Sequence, residues 1–155
     1  MLPYTNKAEQ NLANYARLLE DEGCSNEQAF HYLLEEFKGT PYVWGEETTE
    51  GSDCSGTVCA ALNALFDTNI RVTADALYRI YFTLVVEDDE GIQAAFFLNK
   101  DGKAVHIAGY MGHGLFMNES SIEENGGTSR TINELKRMYS QFACVTRKLQ
   151  EEKWV

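Results

Sequence analysis

The stretch Gly45-Glu46-Glu47-Thr48-Thr49-Glu50-Gly51-Ser52-Asp53-Cys54-Ser55-Gly56-Thr57-Val58-Cys59-Ala60-Ala61-Leu62-Asn63-Ala64-Leu65-Phe66 changes character at one point. Up to Asp53 it is acidic and rich in glycine, a loop composition. From Cys54 it is small and apolar, with Val58, Leu62 and Leu65 or Phe66 at helical spacing. The spacing predicts a helix over 54–66 with Cys54 at its start. A helix N-terminus carries unpaired N–H groups and the positive end of the macrodipole, which favour a thiolate. Ser55 and Gly56 are small enough for a substrate to approach the backbone, and the same N–H groups could hold a developing oxyanion. Cys59, five residues on, falls on another helix face and reads as core.

Working outward, the upstream chain reads as helix. Leu12, Tyr15, Ala16 and Leu19 are spaced for a first helix over about 6–20. Ser25 with Gln28 forms a capping box ahead of the stripe Phe30, Leu33, Leu34 and Phe37, and Gly39 ends that helix. Pro41 then favours an extended run through Tyr42-Val43-Trp44-Gly45. Downstream, Thr73 caps a short helix to Ile80, after which the period changes. Segments 81–86 and 93–98 read as strands, and 105–111 with 115–119 as a hairpin around Gly112-His113-Gly114. Thr131 with Glu134 caps another short helix, and 142–149 supplies a closing strand. Helices first and antiparallel strands later make an α+β domain. No linker or repeat divides residues 1–155: a helical extension over 1–29 precedes a core over 30–120, and a helix and strand follow over 121–155.

The 155 residues are 44% hydrophobic and 12% aromatic with two prolines, a composition that buries a core. The net charge is -11 and the 13 basic residues are scattered. Nucleic acid and anionic membrane are therefore not expected partners, since both need clustered Lys and Arg. No apolar run is long enough to insert into a membrane, and Met1 to Lys7 lacks the basic and apolar regions of a signal peptide. The four cysteines form no CxxC pair and there are three histidines, so no metal site or other cofactor is expected. A Cys24–Cys144 disulfide is conceivable, but free buried thiols are the plainer reading. Oligomeric state is not legible.

A nucleophilic thiol needs a base. His106 lies in the apolar strand Ala104-Val105-His106-Ile107-Ala108, where rigid backbone would aim its ring. The base needs an orienter, and parity makes Asn118 a candidate. If 112–114 is a three-residue turn, Met111 faces Leu115, Ala108 faces Asn118, and His106 shares a face with Asn118. Diagonal neighbours of that kind lie about 7–8 Å apart, within reach of a hydrogen bond. A two-residue turn would put them on opposite faces. Taken singly, each residue also has a structural reading: Cys54 as a small buried residue, His106 as a satisfied core histidine, Asn118 as a turn residue. His113 reads as exposed and structural.

The residues Gly39-Thr-Pro-Tyr-Val-Trp-Gly45, Asp53-Cys-Ser-Gly56, Arg71-Val-Thr-Ala74, Ala94-Ala-Phe-Phe97 and His106-Ile-Ala-Gly-Tyr-Met-Gly112 together resemble the NlpC-type cell-wall endopeptidase family. The resemblance covers about residues 30 to 120. It implies a circularly rearranged papain-like fold, with helices packed on an antiparallel sheet. It further implies Cys54 as nucleophile, His106 as base and Asn118 as orienter, with Tyr42, Asp53 and Ser55 as substrate-binding residues. The family more often has His at the third place, so Asn118 is a departure. The implied reaction is hydrolysis of peptidoglycan stem peptides, typically between γ-D-glutamate and a diamino acid, through an acyl-enzyme. The chain would then be bacterial or phage-derived, acting on the wall or on recycled muropeptides. Amidase, acyltransferase or deamidating chemistry on the same scaffold is the alternative, as is a non-catalytic binding module.

Overall fold

The computed structural model describes residues 7–155, so the reading of the segment ahead of Lys7 lies outside the described residues. Helices α1 (Lys7–Asp21) and α2 (Asn26–Glu35) come first. The Ser25–Gln28 capping box is present in both directions, each side chain bonding the other's backbone N–H. After α2 the chain turns rather than stopping abruptly at Gly39. Phe37 is fully buried there, and Gly39, at φ +78°, donates its N–H to Gly127.

A two-stranded ribbon, β1 (Glu47–Thr48) and β2 (Gly51–Ser52), leads into α3 (Cys54–Phe66). Thr73 caps α4 (Ala74–Ala76), as its spacing predicts. The expected strand over 81–86 is largely absent. The chain instead makes a π-type turn, Leu77–Tyr81, closed by a hydrogen bond from the Phe82 N–H to the Leu77 carbonyl. The turn drives Leu77 and Phe82 into the core, Phe82 edge-on to Phe96, and leaves only Leu84–Val85 as strand β3. Burial of two large apolar side chains, about 1.5–3 kcal/mol each, outweighs the strand propensity of the segment.

Strands β4 (Gln93–Leu98), β5 (Ala104–Tyr110), β6 (Leu115–Asn118), β7 (Thr128–Thr131) and β8 (Ala143–Lys148) complete a six-stranded antiparallel sheet in the order β3-β8-β4-β5-β6-β7. Helix α5 (Ile132–Met138) begins with the expected Thr131–Glu134 capping box, and α6 (Glu151–Trp154) closes the chain. The sheet is covered on both faces. Phe96, Ile107 and Met117 join Leu33, Leu34, Val58 and Leu62 of α2 and α3, with Leu12, Ala16 and Leu19 of α1 in the same core. Alternate residues Ala95, Phe97, Ala108 and Phe116 turn to the other side, against Leu135 and Tyr139. The result is an α+β domain whose central strands β4 and β5 are largely apolar because both faces of the sheet are covered, with His106 among their few polar residues.

Candidate active site

Asp53 is the N-cap of α3, its Oδ1 accepting from the Gly56 N–H at 2.7 Å while Oδ2 accepts from the Gly45 N–H at 2.8 Å. One carboxylate thus ties the loop to the helix and fixes where Cys54 begins the first turn. Gly56 is needed for close approach: a Cβ there would lie 2.1 Å from the Glu46 carbonyl oxygen. With Gly56 capped, the Thr57 N–H bonded to the Asp53 carbonyl and the Ser55 N–H turned to the Cys54 sulfur, the Cys54 N–H is the group of this turn left without a partner among the described residues.

The Cys54 thiol is not a resting thiolate, contrary to the expectation from its helix position. Burial pushes its pKa up to about 11, with the Asp53 charge adding to the rise. The N–H groups of Ile107 and Ser55, which point at the sulfur, and Arg71 offset this only in part. Desolvation of an anion in a packed setting exceeds what a few backbone dipoles return. The Ile107 contact also places the thiol against β5, one residue from His106.

His106 is 8% exposed and Asn118 is fully buried. Beyond the Met111–Leu115 pair the turn from β5 to β6 has three residues, Gly112, His113 and Gly114, all at positive φ. The Met111 N–H donates to the Leu115 carbonyl at 2.8 Å, and Gly109 pairs with Met117. This odd-numbered loop brings His106 and Asn118 to one face, with Nε2 2.7 Å from the amide Oδ1. The imidazole stacks on Tyr139 at 4.5 Å between ring centres. Burial lowers the His106 pKa to about 4, opposed by the bond to Asn118 and the charge of Glu123. Thiol and imidazole are therefore both neutral at rest. His113, at the loop tip, is exposed.

Several residues that sequence reasoning passed over complete the site. Glu123, from the loop after β6, accepts from the Asn118 Nδ2 at 2.8 Å and is held by Arg130 of β7 at 2.6 and 3.0 Å. Tyr139, the C-cap of α5, takes a second bond from Nδ2 at 3.0 Å. Glu119 is buried with neither carboxyl oxygen paired among the described residues, and burial with the charges of Glu123 and Asp53 pushes its pKa to about 8. An acidic loop over 119–124 carries no local signal for such burial. Arg71 stands inside a recognised motif, yet its partners were not legible: Asp53 at 2.8 Å, Ser55 Oγ at 2.9 Å and Glu47 at 3.3 Å.

Tyr42, Asp53, Cys54 and Ser55 line one cleft of about 600 Å³, whose walls include Trp44, Arg71 and Val105. Tyr42 also borders a second hollow beside Glu123 and Gly126. Asp53 and Ser55 already have internal partners in Arg71, so they are cleft wall and scaffold at once. The four cysteines are free, Cys59 fully buried with its thiol toward the Val72 carbonyl. Among the described residues, no group of three or more His, Cys, Asp or Glu is placed to hold a metal. No helix there is long and apolar enough to cross a membrane.

A thiol on the first turn of a helix, held against the strand that carries an imidazole bonded to an amide, within an α+β frame, defines the papain-like class of cysteine-hydrolase fold. The sequence profile of the NlpC/P60 family matches residues 39–147, and the chain belongs to that family of cell-wall cysteine endopeptidases. It is 31% identical over 127 residues to the probable endopeptidase YafL of Escherichia coli (strain K12), covering 78% of this chain and 51% of that protein. It is 34% identical over 83 residues to the probable peptidoglycan endopeptidase LytE of Bacillus subtilis (strain 168), covering 54% of this chain and 24% of that protein. The chain thus spans about half or less of the curated relatives it matches. The peptidoglycan hydrolase RipB of Mycobacterium tuberculosis shares the fold at a TM-score of 0.57 and 18% identity, over 91% of this chain and 82% of that one.

Proposed function

We propose that this domain hydrolyses amide bonds in peptidoglycan stem peptides, of the γ-D-glutamyl–diamino acid type, with Cys54 as nucleophile, His106 as base and Asn118 as orienter. The observation that carries the reading is the register-enforced bond between His106 Nε2 and Asn118 Oδ1, on the strand against which the Cys54 thiol packs. Because Oδ1 accepts from Nε2–H, the lone pair of the neutral ring sits on Nδ1. Nδ1 takes the thiol proton as sulfur attacks the carbonyl, so the thiolate forms only as it is used. This suits a pair that is neutral at rest.

The free N–H of Cys54 and the hydroxyl of Tyr42, which lines the same cleft as Cys54, receive the oxyanion. The imidazolium returns its proton to the leaving amine as the C–N bond breaks. Water, deprotonated by the same nitrogen, then releases the acid from the thioester. Asp53 and Ser55, with Tyr42, form the wall that takes the substrate's amino terminus, competing there with the Arg71 guanidinium. Incubation with purified muropeptides and mass spectrometry of the products tests this: new termini at γ-D-glutamate and the diamino acid are expected, and intact muropeptides with the folded protein would end the proposal.

A further inference from the structure

We propose that Glu123, anchored by Arg130, is a positioning residue that fixes the amide of Asn118 and, through it, the tautomer of His106. This rests on the reading of His106 as base. Glu123 is 7% exposed, and its two oxygens are taken up by Arg130 Nη2 (2.6 Å), Arg130 Nε (3.0 Å) and Asn118 Nδ2 (2.8 Å). A carboxylate held by arginine can only accept, so the NH2 end of Asn118 must face it. The carbonyl end then faces His106 Nε2 at 2.7 Å and demands a proton there. A neutral imidazole has one proton, so Nδ1 is left as the base. The departure from histidine at position 118 is thereby made good from outside: the amide carries no charge, but a carboxylate stands directly behind it.

Charge runs the same way. Toward His106, Glu123 is the charge that opposes the effect of burial. The groups facing Glu123 are Arg130 from β7, Glu134 from α5, Glu119 from the end of β6, and the neutral Asn118 and Tyr139. The Arg130 pair is the contact that keeps Glu123 ionised against its acidic neighbours.

The test is Glu123→Gln, read by the nitrogen-15 NMR signals of the His106 ring at neutral pH alongside kcat and KM on a muropeptide. Arg130 Nη2 makes the shortest contact, 2.6 Å to Oε1, so the single oxygen of glutamine stays there and its NH2 group takes the place of Oε2, the oxygen that Asn118 Nδ2 and Arg130 Nε share. The Asn118 amide then flips and the His106 proton moves to Nδ1. We expect the wild type to show the Nε2–H tautomer and the variant to show mainly Nδ1–H. kcat should fall about tenfold to a hundredfold with KM within about twofold. In Glu123→Gln/Arg130→Met the glutamine oxygen is free to face Asn118, so the Nε2–H tautomer and most of kcat return, a rescue that lost packing would not give. An Nδ1–H tautomer in the wild type, or an unchanged ring in folded Glu123→Gln, overturns the proposal whatever the enzyme does. A tautomer shift in a protein that cleaves no muropeptide keeps the positioning and removes the functional reading instead.

Discussion

Replacing Asn118 by alanine removes a side chain that is fully buried and bonded to His106 at 2.7 Å, Glu123 at 2.8 Å and Tyr139 at 3.0 Å. The losses are unequal. Glu123 keeps both Arg130 bonds, and Tyr139 keeps Ser120 as a partner, so neither is orphaned. The His106 Nε2–H is left buried without an acceptor, at a cost of about 1–3 kcal/mol. For a chain of this size that lowers Tm by roughly 2–10 °C. The unpaired ring is also free to shift its proton to Nδ1, so kcat should fall on the order of tenfold to a thousandfold while KM changes little. Asn118→His should retain most of the activity. One imidazole nitrogen can accept from His106 while the other donates to Glu123, so the bonds to these two residues have a counterpart and that to Tyr139 is lost; the larger ring costs about 1–3 kcal/mol of overpacking. Steady-state kinetics on muropeptides, with thermal unfolding as a control, measure both variants. Wild-type kcat in folded Asn118→Ala would refute the orienting role and leave Asn118 as packing.

Cys54→Ala should abolish hydrolysis while costing only about 1 kcal/mol of stability, because a half-buried sulfur is lost at a helix start; residual turnover near wild type would remove the nucleophile assignment. Iodoacetamide at neutral pH should label Cys54 well before Cys59: burial raises both thiols to about 11, but Cys54 lines the cleft while Cys59 is fully buried, and the proposed base serves Cys54, so equal rates would contradict a base-assisted thiol. Burial and the nearby carboxylates raise Glu119 to about 8, so the native state holds a proton that the unfolded chain releases above about pH 4.5, and stability falls as pH rises toward 8. His106, depressed to about 4, works oppositely below about pH 6.5, where stability is lost as the pH falls toward 4. The Tm of Glu119→Gln relative to wild type should therefore rise by about 5 °C between pH 6 and pH 8.5; a difference that does not change with pH would refute the burial argument.

Legible in the sequence were the apolar strand runs that became β4, β5, β6 and β8, marked by their composition and period, and the helix ends whose hydrogen bonds close over three or four residues. The capping boxes at Ser25–Gln28 and Thr131–Glu134, the cap at Thr73 and the helix start at Cys54 all encode local geometry in neighbouring residues. The three-residue turn at 112–114 belongs with them, and parity alone then put His106 and Asn118 on one face. Not legible were β7, the ribbon at 47–52 and the π-type turn, whose sequences carry no cap or clear period. Tyr81 of that turn packs on Trp154, which bonds Thr68.

The chemistry divides along the same line. The sequence by itself determined the α+β class, the thiol at a helix N-terminus and the pairing of imidazole with amide. All of these follow from period, caps and loop length, which act over a few residues. Only the tertiary structure decided that Cys54 rests as a thiol, that Glu123 and Arg130 stand behind Asn118, and that Asp53 and Ser55 are bound to Arg71. Desolvation and the field of distant charges depend on what the folded chain packs around a group. No run of neighbouring residues carries that information.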